Sequence, residues 1–191
     1  MRVPKVRKVA EKFNPFSLEE TKLLLHSDYH EERLCALIIL VHKSQKAEKN
    51  ELKKIFDLYL KNTNYINNWD LVDTSAEHIV GAYLSDKDRS ILYELAKSDN
   101  LWERRIAILS TFHFIKNDDF EDTLAIAELL LEDEHDLIHK ATGWMLHETG
   151  KQDEQVLKNF LDKHIGIMPR TMLRYAIEKL PESDRQMYLS M

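Results

Sequence analysis

Five small or compact side chains, Ala36, Val72, Ala107, Ala141 and Ala176, recur 36, 35, 34 and 35 residues apart, each within an apolar helical pattern. Aligning residues 27–40 (SDYHEERLCALIIL) with residues 98–111 (SDNLWERRIAILST) places Ala36 on Ala107. A period near 35 in a helical chain restricts the fold severely. A helical hairpin of that length cannot enclose its own apolar face, so successive hairpins must stack and cover one another. A small residue at a fixed register position lets neighbouring helix axes approach closely.

Composition agrees with a chain made of helices. Only four glycines and four prolines occur in 191 residues, and 43% of the side chains are hydrophobic. Leu, Glu, Lys, Ala and Ile dominate, and alternating β-branched runs are scarce. Helices are expected near 17–26, 30–44, 48–62, 68–84, 87–97, 101–116, 119–132, 135–149, 152–163, 169–180 and 182–189. Pro15 breaks the chain ahead of the first, and Ser17 followed by Glu19 and Glu20 marks its start. The fold class is all-α: a right-handed superhelical solenoid of helical hairpins with a concave ligand face, in one repeat domain over residues 1–191. Tetratricopeptide repeats have a similar length, but their Trp, Gly and Tyr pattern is missing, so the repeats are HEAT-like and short.

The longest apolar run, residues 34–41, is eight residues, against the roughly 20 that a membrane-spanning helix needs. It contains the single cysteine, Cys35, which has no intrachain disulfide partner and reads as a small buried hydrophobe in a reducing, cytoplasmic protein. No signal peptide precedes it. A net charge of −6 excludes a uniformly basic nucleic-acid binder and leaves open a basic face. Arg2, Lys5, Arg7, Lys8 and Lys12 form a basic opening that is read first as a solvated terminus and second as a phosphate contact.

The repeat alignment exposes an exception. One residue after the small position the other hairpins carry Leu37, Ile108, Thr142 and Ile177, whereas the second carries Asp73. A carboxylate in a mostly apolar position calls for a local partner or a chemical task. Trp69 lies one turn earlier on the same helix face, in the segment NNWDLVD, where its counterparts are Arg33, Arg104, Ile138 and Leu173. Two residues before the small position stand Leu34, Asp70, Arg105, His139 and Arg174, a ridge that becomes polar and partly basic in later repeats. Six residues after it stand His42, His78, His113 and His147, read as caps of helix C-termini before phosphate contacts. His26 with His30 and His135 with His139 have helical ligand spacing but no third ligand near in sequence, so no metal site is expected. Glycine-rich phosphate loops, nucleophile elbows and a Cys–His couple are all missing.

The segments NNWDLVD with TSAEHIVGAYL, then LWERRIAILSTFHFI, DLIHKATGWMLHETGK and MPRTMLRYAIEKLP, resemble in order and spacing the AlkD-type DNA alkylation repair family of HEAT-like DNA glycosylases. The resemblance covers nearly the whole chain. It implies that Trp69 and Asp73 line the concave face as catalytic residues together with Trp144 of the GW motif, and that Arg105, the second Arg of the WxRR motif, contacts a phosphate. Arg104, His139, Lys140, Arg170 and Arg174 are the further candidate DNA contacts. It also implies a monomer acting on duplex DNA that contains alkylated purines, with no cofactor, no metal, no Schiff-base lysine and no membrane.

That chemistry fits the residue types. A purine alkylated at N3 or N7 is cationic and already a good leaving group, so the barrier lies in the oxocarbenium-like sugar. A carboxylate at Asp73 stabilises that cation and orients water, and aromatic faces hold the deoxyribose. Two departures from the family are the acidic net charge and the expected lack of its N-terminal helical segment. The rival reading is a non-catalytic HEAT-like scaffold that binds nucleic acid or protein.

Overall fold

The apolar stripes at helical spacing fold as helices in the structure, a computed structural model that describes residues 3–12 and 16–191. All regular structure among the described residues is helical. Arg2 of the basic opening and the chain break at Pro15 lie outside the described residues. The chain divides into two compact units, residues 1–88 and 89–191.

The first unit contains α1 (Val3–Lys12), α2 (Leu18–Leu25), α3 (His30–Ser44), α4 (Lys49–Leu60), α5 (Trp69–Ala76) and α6 (Ala82–Leu84), with a 3-10 turn at Thr63–Tyr65 and a π turn at Glu77–Gly81. Its centre is α3, whose residues 34–41 are all buried because α1, α2, α4 and α5 pack around it. The basic opening is not merely a solvated tail. Val6 and Ala10, one turn apart, are 1% and 0% exposed and dock α1 on α3, while Lys5, Arg7, Lys8 and Lys12 remain in solvent.

Helix α2 begins at the start expected from Ser17, and the structure shows a capping box between Ser17 and Glu20 there. Ser17 Oγ accepts the Glu20 N–H at 3.2 Å, and Glu20 Oε2 accepts the Ser17 N–H at 2.7 Å. Such a cap contributes about 1 kcal/mol. Ala36 of α3 and Val72 of α5 are both fully buried where these helices lie side by side.

The second unit contains α7 (Ser90–Ala96), α8 (Leu101–Ser110), α9 (Phe112–Ile115), α10 (Glu121–Leu129), α11 (Asp136–Gln152), α12 (Glu154–His164), α13 (Arg170–Ala176) and α14 (Glu182–Ser190). Helix α11 is central, flanked by α8 and α13. Ala107, Ala141 and Ala176 on these three helices are at most 1% exposed, so the register read from the sequence describes the packing within this unit as it does within the first. The helix expected over 101–116 is interrupted at Thr111. Ser110 Oγ donates to the Ile106 carbonyl at 2.6 Å and Thr111 Oγ1 to that of Ile108 at 2.7 Å, and hydroxyls bonded back onto a helix bend it.

The aligned SD segments share chemistry as well as register. Arg33 Nη1 donates to the Ser27 and Asp28 carbonyls at 2.9 and 3.1 Å, and Arg104 Nη1 donates to those of Ser98 and Asp99 at the same two distances. Ser27 bonds Glu32, as Ser98 bonds Glu103. Each Arg therefore closes the turn that feeds the second helix of its hairpin, once in each unit.

Candidate functional site

Helix α5 starts after Asn68, whose backbone is extended, and Trp69 is its first residue. The indole is 54% exposed, unlike most large apolar side chains of the unit. Asp73, one turn on, is partly buried. At the same register position Leu37, Ile108 and Thr142 are fully buried and Ile177 is 1% exposed, so the carboxylate is the exception in environment as well as in type. It sits near the Tyr59 hydroxyl, which shares a 2.9 Å hydrogen bond with Ser75 Oγ. Burial pushes the Tyr59 phenol up, the Ser75 bond opposes this, and the negative charge of Asp73 adds to the rise.

Two features around this pair have no sequence signature. Immediately after α5 the chain enters the π turn, in which the Ala82 N–H bonds the Glu77 carbonyl. Such an insertion rotates everything after it relative to α5 and is frequent at functional sites. Beside Trp69, Asp70 Oδ2 lies 2.8 Å from His30 Nε2 on α3, while its Oδ1 is buried without a hydrogen-bond partner. Asp70 belongs to the ridge two residues before the small position, but no spacing pairs it with His30, forty residues away.

The other candidate residues belong to the second unit. Arg105 is 5% exposed and its Nη1 donates to the Leu137 carbonyl at 2.5 Å, tying α8 to α11. Arg104 Nε donates to Asp133 Oδ2 at 2.6 Å in addition to closing its turn. His139 Nε2 meets the Asp133 carbonyl oxygen, so Arg104 and His139 grip the same residue from two helices. Lys140 pairs with Asp136 at 2.5 Å, and Arg170 Nη2 donates to the Leu189 carbonyl at 2.7 Å. Arg174 is exposed and makes no ion pair among the described residues.

The ridge two residues before the small position is therefore not uniform. Leu34 and Arg105 are buried, Asp70 and His139 are partly so, and Arg174 alone is open. Trp144 on α11 is partly buried. Its Nε1 donates to Glu148 Oε1 at 3.0 Å, Glu148 pairs with Lys151 at 2.7 Å, and Phe112 packs at 5.8 Å between ring centroids. Lys116 lies over Phe112 at 4.1 Å, completing an aromatic and cationic cluster whose other members the sequence reading missed.

The histidines fall into structural roles of several kinds. His147 stands more than a turn inside α11, so it does not cap that helix, and its buried Nε2 has no partner. Burial lowers its pKa. Of the spaced pairs, His26 Nε2 lies 2.6 Å from Asn62 Oδ1, and His135 Nδ1 accepts the Leu137 N–H at 3.2 Å at the head of α11. No group of three metal ligands forms among the described residues.

Solved structures with the same fold include a predicted DNA alkylation repair enzyme from Enterococcus faecalis, with a TM-score of 0.73 at 15% identity over 95% of this chain and 87% of that one. AlkD2 from Streptococcus mutans gives 0.67 at 18% over 95% and 91%, and the smu.31 protein of Streptococcus mutans UA159 gives 0.61 at 19% over 91% and 89%. No curated protein matches. The family model described as DNA alkylation repair enzyme matches residues 1–180, nearly the whole chain, and the protein belongs to that family.

Proposed function

We propose that the protein is a monofunctional DNA glycosylase that hydrolyses the N-glycosidic bond of cationic N3- and N7-alkylated purines in duplex DNA. The observation that carries this reading is the pair on α5: an indole more than half exposed, one turn from a carboxylate that is only partly buried where its counterparts are sealed in the core. A carboxylate in that setting is less screened than one in bulk water and favours a cation developing beside it. The indole offers a π face to the same positive charge and to the C–H groups of deoxyribose. The leaving base carries its own charge, so no general acid is required, and the attacking water needs only to be oriented by Asp73.

Trp144, with its N–H fixed by Glu148, is proposed as a further aromatic contact to the sugar. Among the cationic candidates, Arg174 is open to take a phosphate at once, and Arg170 and Lys140 can do so by exchanging a partner at the surface. Arg105 and Arg104 would have to leave buried bonds to do so, which supports a positioning role for both.

Selectivity tests the mechanism. Duplex DNA carrying 7-methylguanine or 3-methyladenine is expected to lose free base, whereas a uracil-containing duplex, whose neutral base needs leaving-group activation, is expected to remain intact. Efficient uracil release would contradict a site that depends on the charge of the leaving base.

A further inference from the structure

An open groove of about 620 Å³, whose lining includes neither Trp69 nor Asp73, lies within the first unit between α2, the C-terminal half of α4 and the 3-10 turn. Lys22, Lys54 and Lys61 line it, and none of their ammonium groups makes a hydrogen bond or ion pair among the described residues. Of the two carboxylates in the lining, Asp57 is paired with Lys53 at 2.6 Å, which leaves Glu19 as the one not neutralised by a lysine. Three lysines against one unneutralised carboxylate leave the concavity net positive, which draws in an anion.

The inner end of the groove is aromatic. Tyr65 stacks on His26 with centroids 4.0 Å apart and planes 14° from parallel. His26 is held by Asn62 at 2.6 Å, and Asn62 Nδ2 is held by the Leu58 carbonyl at 2.6 Å. The tyrosine is thus fixed from one side yet 38% exposed, a rigid platform with area left for a second flat ring.

We infer that this groove binds a nucleotide, its base stacked on Tyr65 and its phosphates held by Lys22, Lys54 and Lys61. The volume falls within the range of about 300–1,000 Å³ usual for small-molecule sites. Lysines act as point charges on flexible stems, suited to phosphate oxygens without fixing one geometry. A free nucleotide and an exposed unit of a single strand share this chemistry, and the site depends on neither Asp73 nor Trp69.

Titration calorimetry at low salt with inorganic pyrophosphate, ADP and an oligothymidylate single strand separates the contributions. ADP is expected to bind about 5- to 100-fold more tightly than pyrophosphate, because stacking adds to charge. The K54E/K61E variant should lose at least tenfold toward both. Tyr65→Leu should bring ADP close to pyrophosphate and leave pyrophosphate unchanged. Tighter binding of the oligonucleotide per site than of ADP, with the same dependence on Tyr65 and the lysines, would identify the strand as the source. Circular dichroism melting checks that the exposed substitutions leave the fold intact. Absence of millimolar binding by both ADP and the strand, or binding indifferent to both variants, would overturn the assignment.

Discussion

Arg104 shows how a residue type can point to one role and its surroundings to another. Its Nη1 closes the turn at Ser98 and Asp99, and its Nε meets Asp133, whose side chain is only 6% exposed. Removing one partner of a largely buried pair leaves the other charge uncompensated. Arg104→Ala is therefore expected to destabilise the protein by about 2–4 kcal/mol, measured by urea unfolding. A variant as stable as the wild type but defective in DNA binding would return Arg104 to the DNA contacts. Gly143 makes a second case. A Cβ there would stand 2.5 Å from the Met172 carbonyl oxygen and 2.6 Å from Tyr175 Cβ, so α11 and α13 approach through the space a side chain would take. Gly143→Ala is expected to cost about 1–3 kcal/mol despite its better helix propensity, a sign opposite to that of an exposed Gly→Ala change.

At the scale of elements, the helices from α2 onward were legible because apolar residues at 3.6-residue spacing and strong caps such as Ser17 leave little alternative. Helix α1 was hidden by its charges, since Val6 and Ala10 are a sparse apolar stripe among four lysines and arginines. The π turn at Glu77–Gly81 depends on backbone hydrogen bonds that no residue type announces, and the break at Thr111 on two hydroxyls, of Ser110 and Thr111, that bond back onto the helix. The site was legible in part. Asp73 and Trp69 stood out because a repeat alignment makes an exception visible; in the structure Trp69 is 54% exposed and Asp73 is partly buried. Arg105 was not legible in the same way, because its burial follows from where the Leu137 carbonyl lies in the fold. The His30–Asp70 pair was missed for a similar reason, as its partners are forty residues apart.

For the whole molecule, charge is uneven along the chain: residues 89–191 hold the entire net charge of −6, and residues 1–88 are balanced. With the proposed function, affinity for duplex DNA is expected to depend on local cationic contacts and to fall steeply with salt. Stability depends on pH through the second unit. Burial lowers the pKa of His147 and of His164, which is 5% exposed and whose Nε2 makes no hydrogen bond among the described residues but lies 3.7 Å from Glu128 Oε2, whose charge opposes the shift without reversing it. Both titrate lower when folded than the 6.5 of the free side chain, so the unfolded chain binds more protons in the interval between. Their contribution is fully present above about pH 6.5 and declines as pH falls below it. Urea midpoints should therefore drop between pH 7.5 and 5.5, and the H147Q/H164Q variant should flatten that drop. An equal drop in the variant would place the sensitivity elsewhere.

The proposed activity rests on the charge of Asp73, and release of free base from duplex DNA methylated at purine nitrogens measures its effect directly. Asp73→Asn nearly preserves shape and removes the charge. By analogy with the loss of one oxyanion-hole donor, it should slow single-turnover excision by about a hundredfold or more while leaving DNA affinity close to wild type. Unchanged methylpurine release by the variant, or no release by the wild-type protein, would contradict the account.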